Sequence, residues 1–247
     1  MRGTWRLVDS GLVAPAESVA LDEAILEAHS AGSAPDTLHF YVRSSPTVSV
    51  GYFQSVGEGL HIEACRRLGV SVVRRGSGGS SIYTDRGQLI YALVSRSDNL
   101  PATPDASFAL VCGAIAEALS SLGLEARHRP VNDVEVGGRK VSGSAQLRRR
   151  GSVLVHGTII VDTDMAAMDS VLRRHGAGPR PSERVTSLRS LLGAAPAMDD
   201  VKRLLRESFS SSLGAVFEEG ALSEEERDRA ARLVAERYSR DEWNLRL

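Results

Sequence analysis

Cysteine is nearly absent from this chain: 247 residues hold two, Cys65 and Cys112. They fall on separate apolar-periodic stretches with no metal-ligand spacing around them, which excludes a disulfide framework and a zinc site of ordinary pattern. Reduced thiols in a cytoplasm are the expectation. Long hydrophobic runs are missing as well. No stretch of about 18 apolar residues occurs, and Met1-Arg2-Gly3-Thr4-Trp5-Arg6 has charge without the apolar run of a signal peptide. The chain therefore reads as neither membrane-spanning nor exported. Net charge is scarce too, because 30 Lys+Arg against 31 Asp+Glu leave -1. No global field recruits nucleic acid or an anionic membrane, so any such contact needs a local patch. Repeats and low-complexity tracts are absent, and the one Gly/Pro-rich stretch, Gly176 to Pro181, is short. With 42% hydrophobic and 25% charged residues, residues 1–247 read as one globular domain.

Two familiar glycine motifs are also missing. Val70-Ser71-Val72-Val73 reads as a strand that delivers Arg74 and Arg75 into Gly76-Ser77-Gly78-Gly79-Ser80-Ser81-Ile82-Tyr83-Thr84. Gln88 to Val94 follows as a strand apolar enough to be buried on both faces. The glycine turn thus lies between strands, whereas a P-loop and a dinucleotide fingerprint both open a helix.

What is present alternates strands and helices. Glu17 to His29 carries Ala20, Leu21, Ala24, Ile25 and Ala28 at helical spacing. Trp5 to Val8 reads as a short strand, and Leu38–Val42 and Thr47–Val50 as two strands joined by a tight turn at Ser44-Ser45-Pro46. His61 to Leu68 is a short helix stopped by Gly69, and Thr103-Pro104 caps a long one that ends at Gly123. Val134–Val136, Lys140–Leu147 and Ser152–Val161 form an antiparallel meander. Helices are expected over Met165–Arg174, after Ser187, over Val201–Leu213 and over Ser223–Tyr238. The fold class is α+β, with a mixed, mainly antiparallel sheet and helices packed on its outer face.

Two segments invite chemistry. Gly78 and Gly79 expose backbone N–H groups beside the Arg75 guanidinium, a place for an anion. Lys140 stands among Gly138, Ser142, Gly143, Ser144 and Ala145, a run of small residues that lets a ligand come close. Together they point to a place that holds a phosphate and a carboxylate, and to activation of a carboxylic acid by a nucleotide. Each has a plain alternative: a hairpin turn at the glycines, a solvated edge lysine, a simple turn at Asn132-Asp133, a satisfied core histidine at His156. Arg148-Arg149-Arg150 reads as a solvated hairpin tip or a docking patch for an acidic protein.

Taken in order, these segments resemble the lipoate–protein ligase family, within the biotin/lipoate protein ligase and octanoyltransferase superfamily. Leu21-Asp22-Glu23-Ala24 looks like its first helix, Gly51-Tyr52-Phe53-Gln54 like its Gly-x-x-Gln turn, and Arg74-Arg75-x-Ser77-Gly78-Gly79 like its acyl-adenylate turn. Asn132-Asp133 with Gly138-Arg139-Lys140-Val141-Ser142-Gly143-Ser144-Ala145 looks like its lysine motif, and His156-Gly157-Thr158 like the strand after it. The resemblance implies that lipoate or octanoate is activated by ATP and Mg²⁺ to acyl-AMP, then passed to a lysine of a lipoyl-acceptor domain of the 2-oxoacid dehydrogenase E2 or glycine cleavage H protein type. Lys140 is the implied catalytic residue. Arg75, Ser77, Gly78, Gly79, Ser80, Tyr83, Thr84, Asn132, Asp133, Ser142, Ala145 and His156 are the implied acyl-adenylate site, with Asp133 also toward Mg²⁺. Val48, Val73 and the first helix are candidates for the acyl tunnel.

The chain departs from the family at Ser80, where a third glycine is usual, and at Thr84, where a histidine is usual. Tyr238-x-x-x-Glu242-Trp243-Asn244 resembles the end of the large domain of two-domain ligases, which implies a small accessory subunit on a separate chain. Cysteine-dependent octanoyltransferases resemble the first 95 residues equally. No cysteine lies between Leu124 and Lys140, which with Asn132-Asp133 in place favours the ATP-dependent ligase; the alternative is an octanoyl-carrier-protein:protein N-octanoyltransferase that uses Lys140 as general acid/base without covalent catalysis. A non-catalytic lipoyl-adenylate binder and a biotin protein ligase are more distant readings.

Overall fold

The computed structural model describes residues 3–174 and 176–246; Met1 and Arg2 of the charged start lie outside them. The described strands are β1 (Gly3–Val13), β2 (Thr37–Arg43), β3 (Thr47–Val50), β4 (Ser71–Arg74), β5 (Ile82–Thr84), β6 (Gln88–Arg96), β7 (Ala126–Arg129), β8 (Asp133–Val136), β9 (Arg139–Arg149), β10 (Ser152–Ile160) and β11 (Ala215–Glu219). The α-helices are α1 (Pro15–Ser30), α2 (Val56–Gly59), α3 (Ile62–Leu68), α4 (Pro104–Ser120), α5 (Met165–Val171), α6 (Leu188–Leu192), α7 (Met198–Leu213), α8 (Glu224–Leu233) and α9 (Asp241–Asn244). Eight strands form one sheet in the order β11-β1-β2-β6-β10-β9-β8-β7, and β4-β3-β5 form a second. In the large sheet β1 pairs parallel with β11 and with β2. Every other pairing in it is antiparallel.

β6 shows why the sheet is buried on both faces. Its Leu89, Tyr91 and Leu93 join the cluster built on Val111, Ile115 and Leu119 of α4 and Leu205 and Phe209 of α7. The alternate residues point the other way: Ile90 packs with Ala20, Leu21 and Ala24 of α1, and Ala92 and Val94 pack with Ile25 and Leu26. A strand alternates its side chains between faces, so a continuous apolar run satisfies two helical layers at once. Each large apolar side chain buried here contributes about 1.5–3 kcal/mol. The fold is α+β and mainly antiparallel as expected, with helices on both faces of the sheet.

Local signals account for several boundaries. The Thr103 hydroxyl accepts the Ala106 N–H at 3.3 Å, and Pro104 opens α4. Gly69 at φ 64° closes α3, because only glycine enters that left-handed region cheaply. The structure adds to or changes several of the expected strands. β2 and β3 are two strands joined by the short turn at residues 44–46 as expected, but the turn carries the chain between sheets: β2 lies between β1 and β6, while β3 pairs with β4 and β5. β1 runs eleven residues, not four, because β11 pairs with its first part, Gly3 to Leu7, and β2 with the rest, Arg6 to Val13. β11 has no counterpart in the sequence reading. The arginine tip is also less solvated than expected, since Arg148 donates to Pro101 O at 2.9 Å and Ser107 Oγ at 2.7 Å. Arg149 pairs with Glu23 and Glu27 at 3.4 and 3.2 Å.

Candidate active site

The glycine turn is built on the end of β3. β3 lies between β4 and β5, so residues 75–81 must cross over its C-terminus to join its two neighbours. Tyr52 N–H donates to Ser77 O at 2.9 Å and Arg75 N–H to Val50 O at 3.0 Å. A Cβ on Gly51 would overlap the Gly79 carbonyl oxygen, so the approach is open only to glycine. Gly79 itself sits at φ 93°. Arg75 is 6% exposed, and its guanidinium braces the turn from inside. It donates to Ser49 O at 2.8 Å, Gly78 O at 2.7 Å, Ser80 O at 2.9 Å and Ser77 Oγ at 3.1 Å. Burial, and then the neighbouring Arg43, bring its pKa down to about 10, still a full cation at neutral pH. With the turn's carbonyls drawn toward Arg75, the N–H groups of Gly78, Gly79 and Ser80 have no acceptor among the described residues.

Lys140 arrives from the opposite side. β9 carries one extra residue against β8: Glu135 faces Lys140, whereas Val134 faces Ser142. Such a bulge re-aims the side chains beside it. The Lys140 ammonium crosses above Gly143 and meets Asp133 Oδ1 at 2.6 Å. A Cβ on Gly143 would overlap that ammonium. Asn132 Nδ2 donates to Ser144 O, and Ser144 N–H returns a bond to Asn132 O at 2.9 Å, which fixes the turn before Asp133. Ser144 Oγ lies 2.6 Å from Tyr91 OH.

His156 forms the third part. Its Nε2 is 2.7 Å from Ser77 Oγ and its Nδ1 is 2.8 Å from Asp22 Oδ2 on α1. Tyr41 OH donates to Asp22 at 3.1 Å, and His39 stands 3.6 Å from its other oxygen. Burial raises the Asp22 pKa, but the His156 hydrogen bond, the close approach of His39 and the charges of both outweigh it and hold the carboxyl at about 2. His156 is thus a satisfied histidine that also faces a cavity.

That cavity, about 380 Å³, is lined by both halves of the site. The volume lies within the ~300–1,000 Å³ usual for ligand pockets. Arg75, Gly79, Ser80, Tyr83 and Thr84 face it from the small-sheet side, and Asn132, Asp133, Lys140, Ala145 and His156 from the large sheet. Ser77, Gly78 and Ser142 are not on its wall; Ser77 acts through His156, and Ser142 is buried on β9. Val19, Ile90, Ile160, Met168 and Leu172 make the apolar part. Val48 and Val73, expected there, are buried in the packed clusters instead. Sequence reasoning also gave no role to Asp22, Arg43, Arg129, Arg173, Arg174 and Arg184, all on the wall. Asp22 had a signal, a carboxylate on the buried face of an apolar helix.

Asp133 pairs with Lys140, and among the described residues no group of three His, Cys, Asp or Glu side chains is placed to hold a metal. Neither cysteine lines the cavity. Cys112 is fully buried, with Sγ 3.5 Å from Ser144 Oγ, and burial pushes its thiol up to about 11. Burial raises the Cys65 thiol as well. No described helix is long and apolar enough to cross a membrane.

Residues 14–210 match the family described as the lipoyl protein ligase A/B catalytic domain. The chain is 36% identical to octanoyltransferase LipM of Kyrpidia tusciae over 98% of its own length and 99% of that protein. It is 31% identical to octanoyltransferase LipM of Bacillus subtilis over 98% of each chain. Among solved structures it is similar to a bipartite lipoate protein ligase of Thermoplasma acidophilum, with 30% identity, a TM-score of 0.87, and 99% and 96% of the two chains covered. A lipoate-protein ligase A bound with ATP gives 29% identity, a TM-score of 0.86 and 99% coverage of each chain. The full-length octanoyltransferase relatives overturn the expected ATP-dependent ligase activity and favour the octanoyltransferase alternative. The missing cysteine misled because an amine can attack a thioester directly, so a chain without an acyl-cysteine does not thereby need ATP. ATP, Mg²⁺ and a separate accessory subunit belonged to the ligase reading and lose their ground with it.

Proposed function

The chain belongs to the lipoyl protein ligase A/B catalytic-domain family, and from that premise we propose that it is an octanoyltransferase, moving an octanoyl group from a thioester to a lysine of a lipoyl-acceptor domain. What carries the reading is the Lys140 ammonium, held at 2.6 Å by Asp133 on the wall of a cavity with an apolar end, in a chain related along its whole length to octanoyltransferases. The octanoyl tail lies against Val19, Ile90 and Met168. Its carbonyl stands between Lys140 and the glycine turn.

The acceptor amine attacks the carbonyl carbon, the carbonyl oxygen becomes an oxyanion, and the C–S bond then breaks. The amine's proton leaves with the thiol, so the products are an amide and a free thiol. Lys140 and the N–H groups of Gly79 and Ser80 stabilise the oxyanion as it forms, preorganised donors acting where charge develops. Such donors contribute about 10²–10³-fold each in rate. ATP is not needed because the acyl group arrives activated. Transfer is direct, since both thiols are buried and neither lines the cavity, Cys112 lying behind Ser144 of the wall, and burial raises the pKa of both. The acceptor is a lipoyl domain of the kind solved with the Thermoplasma ligase.

The test is incubation with an octanoyl thioester and a lipoyl domain, without ATP, reading acceptor mass. Octanoylation is expected for the wild type and for a C65S/C112S double variant, and a loss of about 10²-fold or more for Lys140→Ala. No modification from any octanoyl thioester overturns the transferase reading. Loss of transfer in the cysteine variant with its fold intact overturns the direct route.

A further inference from the structure

Arginines that the amine chemistry does not use gather at the cavity mouth. Arg129 ends β7, Arg173 and Arg174 follow α5, and Arg184 closes a 3-10 turn over Pro181–Arg184. All four are exposed, and all four line the cavity together with Lys140. Among the described residues none of the four has a carboxylate within ion-pair distance, whereas Arg6, Arg149, Arg180, Arg189 and Arg237 each pair with one. The acids close by are engaged already: Asp133 with Lys140, Glu183 with Arg180 at 2.9 Å, and Asp169 with the N–H and hydroxyl of Ser182 at 2.8 and 2.5 Å.

The backbone holds this rim in place. Arg173 N–H donates to Gly59 O at 3.1 Å, and its Nε to Leu60 O at 3.1 Å. Val185 forms a parallel bridge with Lys140, and Thr186 N–H donates to Lys140 O at 2.8 Å, which brings Arg184 to the edge of β9. Five cations from four segments thus converge in a protein whose net charge is -1. Crowding like charges on one rim is unfavourable unless an anion joins them. The guanidinium fork matches phosphate oxygens in particular.

We propose that this rim binds the phosphodiester of a phosphopantetheinyl thioester donor. The inference rests on the octanoyl-transfer reading and extends it outward from the sulfur. With the acyl tail against the apolar wall and the carbonyl at Lys140, the remainder of the donor leaves through the mouth, past Arg129, Arg174 and Arg184. The phosphopantetheine arm is shared by acyl-carrier proteins and coenzyme A, so a phosphate stands the same length of arm from the sulfur in either source.

The experiment compares kcat/KM for octanoyl-pantetheine, octanoyl-4′-phosphopantetheine, octanoyl-coenzyme A and an octanoyl-carrier protein. Arg173 also braces Leu60, so the variants are Arg174→Gln, Arg184→Gln and the two combined, with folding checked by circular dichroism. The wild type is expected to prefer the phosphorylated over the unphosphorylated pantetheine by roughly tenfold or more, one charge-assisted contact's worth. In the combined variant that ratio falls toward one. Equal use of the two pantetheines by the wild type, or an unchanged ratio in the folded variants, overturns the rim. Failure of every octanoyl donor is a separate result, which removes the transferase reading itself. Preference for the carrier over coenzyme A, or the reverse, assigns the source of the arm and supports the phosphate site either way.

Discussion

Lys140 reaches Asp133 because residue 143 has no side chain. Gly143 lies directly beneath the Lys140 ammonium, and a methyl there would overlap both Nζ and Cε. The same methyl would stand 3.1 Å from Asp133 Oδ1, so the flexible end of the lysine is the part that must shift, away from its place beside Asp133. Gly143→Ala should therefore displace the ammonium and leave β9 paired with β10, because Gly143 keeps its backbone partner Thr158. Misplacing a catalytic group by about 1 Å costs roughly 10²-fold. The expected outcome is a fall of that order in kcat/KM for octanoyl transfer with little change in the unfolding midpoint; full activity would show that Lys140 does not act from this position. Arg75 shows the opposite relation between sequence and role. Its neighbours suggested a cation for the ligand, yet its donors are spent on carbonyls of the turn it braces.

At the scale of elements, α5 links the apolar part of the cavity wall to the arginines at its mouth. Asp164 caps it, accepting the N–H groups of Ala166 and Ala167 at 3.0 and 2.9 Å, and Met168 then faces the cavity. Loss of such a cap costs about 1 kcal/mol. Asp164→Ala should lower the urea-unfolding free energy by that amount and raise KM for the octanoyl donor; an unchanged KM would separate α5 from the acyl wall. Elements of this kind were legible wherever a local signal marked them. Thr103-Pro104 announced α4, Gly69 ended α3, and the small residues after Lys140 marked its strand. Pairing was less legible. Both β2 and β3 are buried along their whole length, so apolar content did not say which sheet each joins. β11 is five residues with two buried positions, too short to show a period. The motif-bound half of the site, Asn132 to Ala145, was readable because its residues are neighbours in sequence. Asp22, Arg129, Arg174 and Arg184 were not, since only the sheet order and the strap over β9 bring them to one cavity.

The whole molecule is tied across its layers by one carboxylate. Asp22 comes from α1, and it meets Tyr41 and His39 on β2 and His156 on β10, so one buried group joins the helical layer, the middle of the large sheet and the cavity wall. Its pKa is held at about 2 against an ordinary 3.8, because the His156 hydrogen bond, the close approach of His39 and the charges of both overcome the cost of burial. The sign follows from proton binding. The unfolded chain takes up the proton at a higher pH than the native one, so the stabilisation is whole above the unfolded value and is lost as pH falls through the native value. The window therefore runs from about pH 4 down to about pH 2, and the shift corresponds to about 2 kcal/mol. Asp22→Asn removes the titrating group and keeps the shape. Denaturant unfolding of both proteins across this window should show the wild-type advantage at about pH 5 shrinking by about 2 kcal/mol at the acid end. A gap that stays constant with pH would mean that Asp22 supports the fold by packing and neutral hydrogen bonds alone, and the ionic tie between α1 and the sheet would have to be abandoned.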